Sequence, residues 1–291
     1  MHGQTCVSPS GGHNQDRDQK DQKDSKDKNS PAISDRYGRF RMIKAGIIGG
    51  SGLDDPQLLK NAEEIHVTTP YGEPTSALTI GSIAGREVVI LARHGRQHTI
   101  PPTHINYRAN IHALKNQGCT HILATTACGS LREEIQRGDL VILDQFIDFT
   151  RFRPVTFYDS FAPGAENAKH TPMSDPFDEA LRQKLVANAK AMGVRFHARG
   201  TVINIEGPRF STRAESNMFR LWGADVINMS LAPEAILANE AAIPYAAVAI
   251  ATDYDCWKTD EAPVEWAEIL RIFECNVEIV KTLLLKTIQV I

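Results

Sequence analysis

From Ile43 onward, short apolar runs alternate with longer stretches whose apolar residues recur every three or four positions. The short runs predict strands at "KAGIIGG", "HVTT", "SALTIGSIAG", "REVVILARH", "HILATTACG", "DLVILDQFIDF", "RGTVINIEG", "ADVINM" and "YAAVAIATDYD". Several are apolar without interruption, as expected of strands covered on both faces of a central sheet. The longer stretches predict helices over Asn106–Asn116, Pro176–Met192, Thr212–Trp222, Pro233–Ala241 and Pro263–Ile288. Three carry end signals: Gly193 as a C-terminal cap, a Thr212/Glu215 capping box, and Pro233 as a first helical residue. Ile269, Ile272, Phe273, Val277, Val280 and Leu284 form an apolar stripe along the last helix. The pattern predicts a single α/β domain over 43–291, with a central mixed β-sheet flanked by helices and no internal repeat.

Residues 1–42 depart from this pattern. "QDRDQKDQKDSKDKNS" lacks apolar residues to bury, so a disordered low-complexity extension is expected there. It has neither an apolar segment for secretion nor the acid-poor composition of a transit peptide. The whole chain has 291 residues, is 42% hydrophobic and carries a net charge of −3, the profile of a soluble globular protein. That charge weighs against nucleic acid as a partner, and no apolar run reaches membrane-spanning length. The five cysteines show no paired or metal-ligand spacing, which points to a reducing, cytoplasmic setting.

The strand at Ala45 runs into a glycine-rich turn, "AGIIGGSGLDD". The turn lacks the third glycine of a dinucleotide fingerprint and the Gly-Lys-Ser/Thr of a P-loop. Two readings stay open: a plain structural turn, or a nest of backbone N–H groups with the Ser51 hydroxyl around a small oxyanion. Arg93 and His94 end another strand, where ligands meet open α/β sheets. His94, His98 and His104 could suggest metal, but "TIPP" interrupts any helix that would put two of them on one face. Thr126 and Ser230 place hydroxyls at two further strand ends. Together with Ser51, Arg93 and His94 they suit one phosphate. Cys128 reads as a small buried thiol, with no neighbouring base to make it a nucleophile. Asp253 and Asp255 alternate at the end of the last strand and so point the same way. They are either solvent-facing acids or a pair in which one carboxyl keeps a proton.

Taken in order, "GIIGGSGLDD", "LARHGRQHTIPP", "TTACGSL", "EGPRFSTRAES", "WGADVINMS" and "ATDYDCW" resemble the purine nucleoside phosphorylase superfamily, and within it the branch acting on 5′-methylthioadenosine. The resemblance runs from Met42 to the C-terminus. It implies a phosphorylase-like fold, a homotrimer or hexamer, and phosphate as co-substrate with no metal or organic cofactor. It implies phosphate contacts from Ser51, Arg93, His94, Thr126, Ala127 and Ser230, with serine at 51 and 230 where the family most often has threonine. It places Met229 against the ribose, Phe210, Ser211, Cys128 and Gly129 around the base, and Asp253 and Asp255 at its N7 and 6-amino edge. Asp253 is the implied general acid, and His170 reaches a neighbouring subunit's 5′ pocket. Trp266 stands where relatives have a small aliphatic residue, which puts the preferred 5′ substituent in question. The competing functions are a 6-oxopurine nucleoside phosphorylase and, more distantly, a dinucleotide-binding oxidoreductase.

Overall fold

A computed structural model of the protein describes residues 32–34, 40–49, 59–260 and 265–291. Within the tail expected to be disordered, β1 (Ala32–Ser34) and β2 (Phe40–Met42) pair antiparallel; the rest of 1–42 lies outside the described residues. The domain proper begins with β3 (Lys44–Gly49), followed by β4 (Lys60–Ile65), β5 (Leu78–Ile83), β6 (Arg86–Ala92) and helix α1 (Tyr107–Asn116). Next come β7 (His121–Ser130), β8 (Leu140–Ile142), β9 (Gln145–Phe149) and α2 (Glu179–Met192). The chain continues through β10 (Phe196–His197), β11 (Thr201–Ile205), α3 (Arg213–Leu221), β12 (Val226–Asn228) and α4 (Leu231–Glu240). It ends with β13 (Tyr245–Tyr254) and α5 (Trp266–Val290).

These strands form one mixed sheet in the order β10-β8-β13-β7-β3-β6-β5-β4, while β12 joins the far end of β7 and carries β11 and β9 beyond it. Its centre is parallel: β13, β7, β3 and β6 run in register side by side. Alternation along β13 shows why this run is apolar throughout. Ala246, Val248 and Ile250 face α2 and α5, whereas Ala247, Ala249 and Ala251 face α1 and α4.

The helix ends follow their local chemistry. The Thr212/Glu215 capping box forms, and Gly193 closes α2 in the left-handed region at φ 66°. Helix α4 starts two residues before the expected Pro233, with Ser230 as N-cap; Pro233 still falls in the first turn, where no intrahelical N–H is required. Helix α5 is present, but its expected start at Pro263 lies outside the described residues.

Two strand expectations shift, and one short strand was not expected. "HVTT" is not a strand beyond a Thr69 bridge to Gly72; the strand lies just before it at Lys60–Ile65. Among the described residues this edge strand pairs only with β5, and it is exposed almost throughout, so its charges protect an edge and no apolar pattern marks it. "DLVILDQFIDF" breaks into β8 and β9 because the chain changes partners there, from β13 and β10 to β11. The two-residue β10 is too short to leave a pattern.

No helix among the described residues is long and apolar enough to cross a membrane. The carboxyl ends of β6, β7, β11, β12 and β13 all open toward one cavity.

Candidate active site

That cavity has a volume of about 530 Å³, within the size range of small-molecule sites. Its lining contains Arg93, His94, Thr126, Ala127, Cys128, Gly129, Phe210, Ser211, Met229, Ser230, Asp253 and Asp255. The fold therefore gathers in one place twelve residues drawn from five strand ends. Of the three other predicted site residues, His170 is not among its lining. Ser51 lies outside the described residues, as does the turn that carries it. His170 is exposed and packs edge-on against Phe161. Trp266 opens α5, whose Ile269, Leu270 and Phe273, one and two turns further on, supply an apolar wall.

One pole of the cavity is cationic. Arg93 follows β6 and is fully buried, yet most of its fork is committed inside the protein. Its Nε and Nη2 donate to the two oxygens of Glu234 at 2.5 and 3.0 Å, and Nη1 donates to the Thr125 carbonyl at 2.7 Å. Three of its five N–H donors are thus engaged and two are left for a ligand. Burial works against the guanidinium charge, but Glu234 outweighs it and the pKa sits above its ordinary value. Glu234 is itself fully buried on α4 and also accepts the Tyr245 hydroxyl at 2.8 Å. The pattern-based reading missed Glu234.

His94 holds its ring by Nδ1, 2.8 Å from the Ile100 carbonyl. A carbonyl only accepts, so Nδ1 carries the proton and Nε2 is the remaining nitrogen. Burial first, then the Arg93 charge, push its pKa down to about 4. At neutral pH the ring is uncharged and Nε2 presents a lone pair, an acceptor where the residue type alone suggested a donor. His98 stacks on it at 4.5 Å between centroids. No group of three or more His, Cys, Asp or Glu among the described residues is placed to hold a metal ion.

Thr126 and Ser230 complete this pole. Thr126 Oγ1 accepts from Asn228 Nδ2 at 3.4 Å and donates to the Ala127 carbonyl at 3.0 Å. Ser230 occupies the N-cap of α4, but its hydroxyl makes no capping hydrogen bond. A buried helix N-terminus with an uncommitted hydroxyl beside Arg93 favours an oxyanion.

A second pole lies four residues further along β7, where Gly129 pairs with Asp253 while Arg93 bonds at Thr125, and it is anionic. Asp253 and Asp255 are both buried and both line the cavity, so they are a pair rather than solvent-facing acids. Burial pushes the Asp253 carboxyl up from an ordinary 3.8 to about 6. The Thr252 hydroxyl, donating to Oδ1 at 2.8 Å, opposes this, and the Asp255 charge adds to it. Asp255 Oδ2 is buried without a hydrogen-bond partner, an acceptor that awaits a donor. Gly129 faces this pair closely: a Cβ there would lie 3.1 Å from Asp253 Oδ2 and 3.0 Å from Ile227 Cγ2. Between the poles, Cys128 is inert. Burial, then the Asp253 charge, raise its thiol pKa well above the usual value, and Sγ donates to the Ile250 carbonyl.

The chain that carries this cavity, with its cationic end, its carboxyl of raised pKa and its apolar wall, has relatives among known proteins. The model of the phosphorylase superfamily matches residues 44–289. The chain belongs to the phosphorylase superfamily. It is 56% identical over 247 residues to S-methyl-5′-thioadenosine phosphorylase of Xenopus tropicalis, covering 84% of this chain and 88% of that protein. It is also similar to methylthioadenosine phosphorylase from Schistosoma mansoni in complex with adenine, at TM-score 0.80 and 44% identity over 85% of this chain and 91% of that one. A similar likeness, TM-score 0.79 and 43% identity with 85% and 91% covered, relates it to a point mutant of the Schistosoma mansoni adenosine/methylthioadenosine phosphorylase in complex with methylthioadenosine. Within the superfamily the chain thus groups with the methylthioadenosine phosphorylases, and the expected single-domain fold around a mixed sheet is borne out.

Proposed function

We propose that this chain is a pentosyltransferase of the purine nucleoside phosphorylase type that cleaves 5′-methylthioadenosine with phosphate to adenine and 5-methylthioribose 1-phosphate. The carrying observation is that one cavity holds Arg93 and His94 together with Asp253 and Asp255, with Arg93 bonded at Thr125 and Asp253 paired at Gly129, four residues further along β7. Phosphate at the cationic end meets the two remaining Arg93 donors, the Ser230 hydroxyl, the Thr126 hydroxyl once it turns from the Ala127 carbonyl, the Ala127 backbone and, in this reading, Ser51. The proton of hydrogen phosphate suits His94 Nε2, the acceptor defined by the Ile100 contact.

A phosphate oxygen bonds to C1′ as the C1′–N9 bond breaks and its electron pair passes to adenine. Protonated Asp253 gives its proton to N7, which lets the base leave, and as the ester dianion forms the proton of hydrogen phosphate passes to solvent, from which Asp253 is reprotonated for the next turnover. The unpartnered Asp255 Oδ2 suits the 6-amino group, a donor that a 6-oxopurine lacks. Met229 flanks the ribose, while Phe210, Ser211, Cys128 and Gly129 enclose the base. Ile269, Leu270 and Phe273 offer an apolar surface suited to methylthio rather than hydroxyl.

The reading includes a cytoplasmic homotrimer, with His170 and the first turn of α5 around Trp266 completing 5′ pockets, and no cofactor beyond phosphate. The test is a phosphate-dependence assay on the full chain with methylthioadenosine, adenosine and methylthioinosine side by side. Phosphate-dependent adenine release, fastest from methylthioadenosine, is expected. Preference for methylthioinosine, or turnover without phosphate, overturns the proposal.

A further inference from the structure

Arg153 lies just after β9 and is almost wholly enclosed, with a side chain 1% exposed, yet it is not among the residues lining the cavity. All five of its N–H donors are accounted for. Nε donates to Glu206 Oε1 at 3.1 Å; Nη1 donates to the Tyr107 hydroxyl at 2.9 Å and the Met229 carbonyl at 2.5 Å. Nη2 donates to the Ile205 carbonyl at 3.4 Å and to the Glu206 carbonyl. Those carbonyls belong to two separate segments of the site. Ile205 lines the cavity and leads into the stretch carrying Phe210 and Ser211, while Met229 lines it and precedes Ser230. Tyr107 extends the link to a third segment, since its hydroxyl donates to the Pro102 carbonyl at 3.1 Å. Pro102 ends the cavity-lining run that contains Ile100, the carbonyl partner of the His94 ring.

A buried guanidinium with every donor used is a rigid spacer, because its planar fork fixes the relative positions of its acceptors. Resting on the reading under Proposed function, we infer that Arg153 is a positioning residue that holds the base-side and ribose-side segments in register with the phosphate-side loop. It touches no reacting atom. Its effect is on the alignment of bound nucleoside with bound phosphate, where a misplacement near 1 Å costs about 10²-fold in rate.

The test uses full-length Arg153→Lys, Arg153→Ala and Tyr107→Phe proteins. Lysine keeps the charge but cannot span the acceptors, so Arg153→Lys is expected to lose about 10²-fold in kcat/KM for the nucleoside, with kcat falling and the nucleoside KM rising in a cooperatively melting protein. Guanidinium ion added at millimolar concentration is expected to restore part of the kcat of Arg153→Ala and none of Arg153→Lys, whose ammonium fills the space. Tyr107→Phe keeps the Ile205, Glu206 and Met229 contacts of Arg153 and removes the hydroxyl that joins Arg153 to the Pro102 carbonyl, so the phosphate KM should rise more than the nucleoside KM. A folded Arg153→Lys protein with parental kcat and KM overturns the inference. So does Arg153→Ala activity that guanidinium leaves unchanged, or a Tyr107→Phe protein with parental constants. Absence of phosphorolysis in the parent would refute the functional reading instead; adenine affinity by calorimetry, expected to fall in Arg153→Lys, then still decides the role of Arg153.

Discussion

Replacing Asp253 with asparagine should make the protein more stable and nearly inactive at the same time. The isosteric amide keeps an oxygen for the Thr252 hydroxyl, now 2.8 Å from Asp253 Oδ1, so the local geometry is retained. The proton for the departing base is lost. General acid catalysis contributes typically 10²–10⁴-fold, so kcat on methylthioadenosine should fall by roughly that factor, about 3–5 kcal/mol of barrier. Stability moves the other way. Folding raises the Asp253 pKa from 3.8 to about 6, so the ionised form is the one the fold disfavours. That penalty is absent below about pH 4, grows between pH 4 and 6, and is constant above pH 6, where a shift of about two pKa units is worth about 3 kcal/mol.

Asparagine, uncharged throughout, removes the penalty. Thermal melts should show a higher Tm for the variant at pH 7.5, by about 5–10 °C for this chain length, and no gain at pH 4. The parent's kcat/KM should decline tenfold per pH unit above about 6, since only the protonated fraction of Asp253 serves as acid in the free enzyme. The variant should lack that limb. Activity within threefold of the parent, or a lower Tm at pH 7.5, would refute the assignment of Asp253 and the origin of its shifted pKa.

Glu234→Gln leaves Arg93 with a buried, uncompensated charge; urea denaturation should show a loss of about 3–5 kcal/mol and the phosphate KM should rise, whereas parental stability would contradict the role of the pair. Gly129→Ala places a methyl group 3.1 Å from Asp253 Oδ2 and 3.0 Å from Ile227 Cγ2, so kcat should fall in a protein that binds phosphate normally, and an unchanged kcat would count against a tight Asp253 contact. Leu270→Ser on the α5 wall should raise the KM for methylthioadenosine about tenfold, near 1.4 kcal/mol, with little change for adenosine; equal effects on both substrates would remove this wall from the 5′ pocket.

The central strands were legible because burial on both faces leaves an uninterrupted apolar run, and β13 with its alternating partners is the clearest case. Candidate ligands were legible for a related reason. Arg93 and Asp253 sit where such runs stop, and parallel strands that begin on one side of a sheet end together on the other, whereas Thr126 lies mid-way along β7 and Ser230 reaches it from antiparallel β12. Edge strand β4 had no such signature, since nothing covers it and its exposed charges resemble a loop. Arg153 was equally silent. It occurs in "RFRP", an ordinary polar stretch, and only the fold reveals that five acceptors from three other segments converge on it.

Glu234 stands between these cases, because a signal for it existed in the pattern. "LAPEAILAN" is apolar on every side, and in the structure Leu231, Ala232, Pro233, Ala235, Leu237 and Ala238 are all buried. A helix with no polar face has no direction in which to send a carboxylate to water. A lone glutamate in it must therefore be buried, and a buried carboxylate requires donors strong enough to replace its hydration. The apolar strands offer few such groups, and Arg93, at the end of a run ready to be enclosed, is the cation among them. The pairing of Glu234 with Arg93 follows from that shortage of partners. It also divides the work of the guanidinium: one edge is spent on keeping the charge inside the protein, and what remains is free to hold an incoming anion.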